Sequence, residues 1–199
     1  MKRMWKETVK ENWNVPNVLT LIRLLLIPVY VVFFTHGAKY QALTVFLVAS
    51  FTDFLDGYIA RKYKLITNFG KLMDPLADKI MVLSATLSMA IGNSLIAPVI
   101  PWAVVIILLG KEMLLISGSL FLYKQGFVAY SYMIGKVAHC FFIAGLVMSY
   151  FHEFFLSFAT FLPFTLDLAV LWIAVALTLC ALVFYTINNY KKAKKMGIF

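Results

Sequence analysis

The sequence predicts an all-α integral membrane protein with six transmembrane helices and a short N-terminal amphipathic helix at the membrane interface. The first observation is composition: of 199 residues, 62% are hydrophobic and 14% are charged, and the mean hydropathy is +0.87. Soluble domains carry about 25% charged and about 45–50% apolar residues. A water-soluble globule, a disordered chain and a small disulfide-bonded secreted domain are therefore excluded.

The second observation is the spacing of apolar segments. A helix needs about 20 apolar residues to cross roughly 30 Å of hydrocarbon. Six segments approach or exceed this length, with polar or turn-forming residues between them: 18–34, 40–59, 75–91, 96–123, 127–150 and 166–187. We therefore predict one six-helix domain over residues 15–190, an amphipathic arm over 1–14 and a basic tail over 191–199.

The N-terminal arm and the first segment are predicted to lie on and in the membrane, respectively. Trp5, Val9 and Trp13 recur at helical spacing among Lys and Glu, which is typical of a helix on a membrane surface. No small-residue cleavage site follows segment 18–34, so we interpret it as a retained span rather than a signal peptide.

The distribution of basic residues predicts the orientation. With six spans, both termini lie on one side, and that side holds nearly all the loop cations, since the opposite side has only Lys39. The positive-inside rule then places both termini in the cytosol. The formal net charge of +9 comes mainly from basic clusters at the two ends, which suit anionic lipid headgroups. We therefore expect membrane lipids as partners and no nucleic acid.

Four of the nine acidic residues lie between positions 53 and 78: Asp53, Asp56, Asp74 and Asp78. Residues three or four apart share a helix face, and an antiparallel pair of helices would bring both acidic pairs to one depth at the cytosolic edge. Each ionised Asp in a span costs roughly 2.5–3.5 kcal/mol, so a compensating cation is expected. All-oxygen ligands suit Mg²⁺ or Mn²⁺, and four carboxylates suit two such ions.

Helix capping is the structural alternative for these carboxylates, and Asp74 before Pro75 would make a good N-cap. Capping explains one of the four residues. The residues between the acidic pairs favour a phosphate site instead, because Gly57 permits close approach to the backbone and Arg61 can bind phosphate bidentately. A divalent metal, an arginine and a glycine together predict a pyrophosphate-binding site.

The motif Asp53-x2-Asp56-Gly57-x2-Ala60-Arg61-x8-Gly70-x3-Asp74-x3-Asp78 resembles the signature of the CDP-alcohol phosphatidyltransferase family at all eight of its fixed positions. Residues 15–23 resemble the family's opening segment. Residues 71–79 resemble its bacterial branch of phosphatidylglycerophosphate synthases and cardiolipin synthases.

The resemblance implies a six-helix enzyme of the bacterial plasma membrane, often dimeric, with a cytosolic active site. Such an enzyme transfers a phosphatidyl group from CDP-diacylglycerol to an alcohol and releases CMP. Carried over by position, the resemblance makes Asp53, Asp56 and Asp74 metal ligands. It makes Asp78 the general base, in contact with the second metal. The residues that it assigns to CDP-diacylglycerol binding are Gly57, Arg61, Thr67 and Asn17.

The acceptor alcohol is less well defined by the sequence. A phosphorylated acceptor needs cations, and the candidates inside the predicted spans are Lys111, Lys136, Lys79 and Arg23, with His139 close by. The first expectation is glycerol-3-phosphate, which gives phosphatidylglycerophosphate. Two cations that are typical of synthases of this product are missing. Where those enzymes have Ser-Gly-Leu-Arg, this chain has Ser117-Gly118-Ser119-Leu120. Where they have Gly-Lys-x-Lys-Thr, it has Gly135-Lys136-Val137-Ala138-His139. Phosphatidylglycerol, the acceptor of a cardiolipin synthase, is the alternative.

Two other functions fit the acidic residues less well than a phosphatidyltransferase does. Buried acidic residues also occur in small cation transporters, but these place them near the midplane, often in repeated halves. A prenyltransferase also binds pyrophosphate, but its Asp motifs lie far apart in a larger bundle. Outside the acidic cluster, Glu153 and Asp167 have no basic neighbour in the sequence and are expected to be solvated.

Overall fold

The structure is a computed structural model, and it describes residues 15–63, 68–124, 133–158 and 165–195, with some side chains in these ranges left out. Every regular element in this part of the chain is an α-helix, which confirms the predicted all-α class. The predicted amphipathic helix at 1–14 lies outside the described residues. The helices are α1 (Val15–Thr35), α2 (Lys39–Tyr63), α3 (Asn68–Ile91), α4 (Trp102–Lys124), α5 (Met133–Ser149), α6 (His152–Phe158) and α7 (Leu166–Lys195).

The bounds of α3, α4 and α7 differ most clearly from the predicted segments. Helix α3 begins at Asn68 rather than at 75, so Asp74 and Pro75 lie inside the helix and Asp74 is not its N-cap. Helix α4 begins at Trp102 rather than at 96, because Pro98 and Pro101 disfavour helical geometry in the residues before them. Helix α7 continues to Lys195, through most of the predicted basic tail.

The chain forms two compact units, residues 1–98 and 99–199. In the first unit, α1 packs against both α2 and α3. Its core consists of apolar side chains spaced three or four residues apart, so that each helix buries one face. These side chains include Tyr30 and Phe34 from α1, Phe46 and Ala49 from α2, and Met81, Ala85 and Met89 from α3.

Asn93 joins the end of α1 to the segment that follows α3. Its side-chain nitrogen donates to the Phe34 carbonyl at 2.6 Å, and its oxygen accepts the backbone N–H groups of Leu95 and Ile96 at 2.8 and 2.7 Å. Gly92, at φ +64°, ends α3 in the left-handed conformation that favours glycine. The side-chain amide of Asn93 thus holds the end of α1 against the segment that follows α3.

In the second unit, α5 packs closely on α7. The hydrogen atoms of Gly145 face the backbone of Leu171, and a Cβ there would lie 3.0 Å from both the nitrogen and the Cα of that residue. A small residue at this position lets two apolar helices approach closely, as is common in membrane helix pairs.

Asp167 corrects one expectation from the sequence. It is fully buried in the first turn of α7, and its Oδ2 lies 2.8 Å from the Nδ1 of His152 at the start of α6. The prediction that Asp167 is solvated was therefore wrong. The partner was overlooked because it is a histidine, fifteen residues earlier, that tertiary folding brings to the helix terminus.

Two helices in the described residues are long and apolar enough to cross a membrane, Asn17–Thr35 and Leu166–Lys192. Large apolar side chains also cover the outward faces of these helices: Leu21, Ile22, Leu25, Val29 and Val32 on α1, and Trp172, Ile173, Leu179 and Val183 on α7. Such faces are consistent with a membrane protein.

The contact between α5 and α7 yields a stability prediction. Gly145→Ala places a methyl group against backbone atoms that cannot move aside, so we expect unfolding free energy to fall by about 1–3 kcal/mol. The matched control is Gly110→Ala in α4, where an added Cβ meets no side chain and no other helix of the described residues within 4 Å, and helix propensity favours Ala by up to about 1 kcal/mol. Thermal unfolding in detergent measures both; equal melting temperatures for the two variants would contradict this packing.

Candidate active site

One face of α1 carries a stripe of buried polar side chains. Asn17, Thr20 and Arg23 are 2%, 0% and 1% exposed. They are three residues apart and therefore lie on one side of the helix, in line with buried Tyr30 and Phe34 further along. The core of the first unit thus changes from apolar to polar toward the N-terminal end of α1.

Asp53 lies at the polar end of the buried face of α2. It follows Phe46 and Ala49 at helical spacing, and its Oδ1 lies 2.9 Å from the Nη1 of Arg23. The Nε of the same guanidinium donates to the Ala49 carbonyl at 3.3 Å. A charge as deeply buried as Arg23 needs a partner, and Asp53 supplies it while its own side chain stays 42% exposed.

Asp74 lies at the corresponding end of the buried face of α3. It precedes the buried residues Ala77 and Met81 at helical spacing, and its Oδ1 accepts a hydrogen bond from the Thr20 hydroxyl. Since α1 also binds Asp53, one helix contacts a predicted metal ligand from each of the other two. The carboxylates of Asp53 and Asp74 are therefore held at the same end of the first unit.

The structure describes the remaining predicted site residues only in part. Asp78 is half-buried and lies one turn after Asp74 on α3. Asp56, Gly57 and Arg61 lie in the last part of α2, and their side chains are outside the described set. Thr67 lies outside the described residues altogether. The common metal site predicted for the four carboxylates consequently stays a prediction.

The donor chemistry of these residues fits a hard divalent cation. Asp53 and Asp74 each have one oxygen bound by α1, and carboxylate oxygens are the preferred ligands of Mg²⁺ and Mn²⁺. Among the side chains that are described, no three His, Cys, Asp or Glu residues form a group that could hold a metal. That set does not include Asp56, the residue that the motif pairs with Asp53.

The predicted acceptor-binding residues lie in the second unit. On α4, the Nζ of Lys111 is 2.7 Å from the Oε1 of Glu112, and both side chains are mostly buried. On α5, Lys136 is exposed and His139 is half-buried, one turn apart on the same helix. A mostly buried ion pair and an exposed lysine are chemically able to serve an anionic ligand.

The sequence predicts no role for Thr20, and it makes Arg23 a candidate cation for the acceptor. The structure instead pairs both with carboxylates inside the first unit. The sequence does contain a signal for this arrangement, since Asn17, Thr20 and Arg23 are the polar residues at i, i+3 and i+6 in an otherwise apolar helix.

Comparison with known proteins agrees with the motif. The family described as CDP-alcohol phosphatidyltransferase matches residues 13–180. The chain is 34% identical over 197 residues to the CDP-diacylglycerol--glycerol-3-phosphate 3-phosphatidyltransferase of Bacillus subtilis, covering 92% of this chain and 98% of that protein. It is 32% identical over 180 residues to the enzyme of the same name from Aquifex aeolicus, covering 89% and 97%.

A shorter and more similar region is shared with the enzyme of that name from Rickettsia typhi, 50% identical over 72 residues, or 35% of this chain and 40% of that one. Because the family match and the two longer similarities extend over most of the sequence, the chain belongs to the CDP-alcohol phosphatidyltransferase family. This family consists of membrane-associated biosynthetic transferases.

The pair of Arg23 and Asp53 predicts unequal effects of removing either partner. Asp53→Ala leaves a guanidinium that is 1% exposed without its carboxylate, and we expect a loss of at least about 2 kcal/mol in unfolding free energy. Arg23→Met leaves a half-exposed carboxylate that water can solvate, so we expect a loss under about 1 kcal/mol. Thermal unfolding of the purified variants in detergent measures the difference; a larger loss for Arg23→Met would contradict the described burial.

Proposed function

We propose that the protein transfers the phosphatidyl group of CDP-diacylglycerol to glycerol-3-phosphate, giving phosphatidylglycerophosphate and CMP in phospholipid biosynthesis. The observation that carries this proposal is the complete eight-position motif, two of whose carboxylates are bound by one helix at one end of the first unit. The names of relatives similar over most of the chain support the reaction and both substrates.

The reaction exchanges the phosphoanhydride bond of CDP-diacylglycerol for a new phosphate ester bond to the acceptor. A hydroxyl oxygen of the acceptor attacks the phosphorus that carries the diacylglycerol, and the bond from that phosphorus to the bridging oxygen of CMP breaks. The hydroxyl proton passes to a base, and CMP leaves with the bonding electrons. We assign Asp78 as the base, since it is a half-buried carboxylate one turn from Asp74.

Asp53, Asp56, Asp74 and Asp78 are the residues that would hold the divalent ions, which we expect to be two Mg²⁺ or Mn²⁺. When bound, such ions neutralise negative charge that builds up on the pyrophosphate oxygens as the bond to CMP breaks. The chain's own residues bind and orient the nucleotide: Gly57 lets it approach α2, Arg61 and Thr67 contact its phosphates, and buried Asn17 supports the site from α1.

Lys111, Lys136 and His139 are the residues that we assign to the acceptor. The phosphate group of glycerol-3-phosphate carries up to two negative charges, which a lysine can bind. Lys136 is exposed, whereas Lys111 is held beside Glu112, so Lys136 is the better placed of the two to contact that phosphate. Phosphatidylglycerol, with a single phosphodiester charge, remains the alternative acceptor because the motif positions for two further cations hold other residues.

The proposed setting is the plasma membrane of a bacterium. The predicted six spans, the interfacial arm at 1–14 and the cytosolic placement of both termini rest on the six apolar segments and on the uneven distribution of Lys and Arg. We also propose that the protein is a homodimer, as the family resemblance implies. Cross-linking in native membranes would measure that state.

The first prediction from this function concerns CMP release. Purified protein with CDP-diacylglycerol and Mg²⁺ should release CMP when glycerol-3-phosphate is added, and Asp78→Asn should lower turnover at least about 100-fold, since general acid–base groups contribute about 10²–10⁴. Excess chelator should stop the reaction, and Mg²⁺ or Mn²⁺ should restore it.

Each result has a separate meaning. Binding of CDP-diacylglycerol should survive in Asp78→Asn, and its loss would remove the assignment of Asp78 as base. Release of CMP with phosphatidylglycerol but not with glycerol-3-phosphate would replace the acceptor and keep the transferase. Full activity in excess chelator would overturn the metal requirement.

A second prediction separates the acceptor site from the nucleotide site. Lys136→Ala removes a charge from the proposed phosphate contact, so the KM for glycerol-3-phosphate should rise at least about tenfold, the equivalent of one charge-assisted hydrogen bond of about 1.5–3 kcal/mol. The KM for CDP-diacylglycerol should change far less. Steady-state kinetics with each substrate varied in turn measures the ratio, and equal increases would assign Lys136 to the structure instead.

A further inference from the structure

Helix α1 contacts two of the motif's carboxylates without supplying a carboxylate itself. We propose that Thr20 and Arg23 are positioning residues, which hold Asp74 and Asp53 in the orientation required to ligate divalent ions. This inference rests on the proposed function, because it assigns a role to residues that surround the same site.

Arg23 fixes Asp53 relative to the backbone of α2. Its Nε donates to the Ala49 carbonyl at 3.3 Å and its Nη1 lies 2.9 Å from the Oδ1 of Asp53, one helical turn later. Because a guanidinium is planar and rigid, these two contacts restrict where that carboxylate oxygen can lie. The Asp53 side chain is 42% exposed, so this carboxylate lies at the border between the buried core and the surface.

Thr20 acts in the same way on α3. Its hydroxyl is fully buried and donates to the Oδ1 of Asp74, while Asp74 itself is only half-buried. Thr20 and Arg23 are three residues apart on one face of α1, so a single rigid helix sets the positions of two carboxylates from different helices.

This pattern is that of outer-shell support for a metal site. In such sites a hydrogen bond to one ligand oxygen fixes the orientation of the carboxylate, and removal of the outer partner weakens metal binding by about 10–100-fold. An alternative role for Arg23, direct contact with a substrate phosphate, would require an accessible guanidinium. At 1% exposure, and in contact with Ala49 and Asp53 of the first unit, Arg23 is placed for support rather than for ligand contact.

The test compares three threonine variants. Thr20→Val removes the hydroxyl at nearly constant volume, and Thr20→Ser retains it. Thr86→Val is the matched control, because Thr86 is also fully buried but donates to the Val82 carbonyl of its own helix, away from the carboxylates. The main readout is Mn²⁺ binding to the purified full-length protein, followed by the electron paramagnetic resonance signal of free Mn²⁺; CMP release against metal concentration is the second.

We expect Thr20→Val to weaken Mn²⁺ binding about 10–100-fold and to raise the metal concentration needed for half-maximal CMP release by a similar factor. Thr20→Ser should bind within about threefold of the wild type. Thr86→Val should lose stability without a change in Mn²⁺ affinity. Unchanged Mn²⁺ affinity in folded Thr20→Val, or an equal loss in Thr86→Val, would overturn the positioning role.

Arg23 gives an independent arm of the test. Arg23→Lys retains a positive charge but cannot contact Ala49 and Asp53 together, so we expect weaker Mn²⁺ binding than in the wild type and stronger binding than in Arg23→Met. A selective increase in the KM for glycerol-3-phosphate, with Mn²⁺ affinity unchanged, would make Arg23 an acceptor residue. If the wild type releases no CMP but binds Mn²⁺ in a Thr20-dependent manner, the positioning role survives and the proposed function fails.

Discussion

The ion pair between Arg23 and Asp53 is the constraint on which the first unit depends. A guanidinium buried among three helices is tolerable only where a carboxylate and a backbone carbonyl contact it. This requirement fixes how α1 lies along α2, because Arg23 must reach both Ala49 and Asp53. Thr20, on the same face, then lies against Asp74 of α3. The buried apolar residues supply most of the packing, and the polar contacts select one register of the helices.

Much of this arrangement could be predicted from the sequence. The all-α class followed from composition and apolar segment lengths and is confirmed. Helical spacing predicted that Asp53 and Asp74 lie at one depth, and the structure brings both into contact with α1. The family followed from the eight-position motif, and the family match over residues 13–180 confirms it. Relatives that match nearly the whole chain are named for the reaction with glycerol-3-phosphate, which supports the acceptor that we propose. The six spans, the metal ions and the roles of all predicted site residues in metal, nucleotide and acceptor binding stay predictions.

The remaining features depend on contacts between residues that are distant in sequence. The start of α3 at Asn68 was missed because Asp74-Pro75 resembles a helix start, whereas the helix accommodates this proline in its interior. The burial of Asp167 was missed because its partner, His152, lies on another helix. Thr20 was overlooked since a threonine in an apolar helix can equally bond to its own backbone, as Thr86 does. Hydrophobic periodicity locates a buried face but does not identify the side chain opposite it.

The ion pair also has a consequence for biosynthesis. Ribosomes complete α1, with Arg23 inside it, before Asp53 has been made. For a helix that enters a bilayer, an unpaired arginine costs up to about 2.5–3.5 kcal/mol on insertion scales and less toward a helix end, and that cost falls once α2 can supply its carboxylate. The buried pair therefore forms only after α2 has been translated, so the final packing of α1 depends on the helix that follows it.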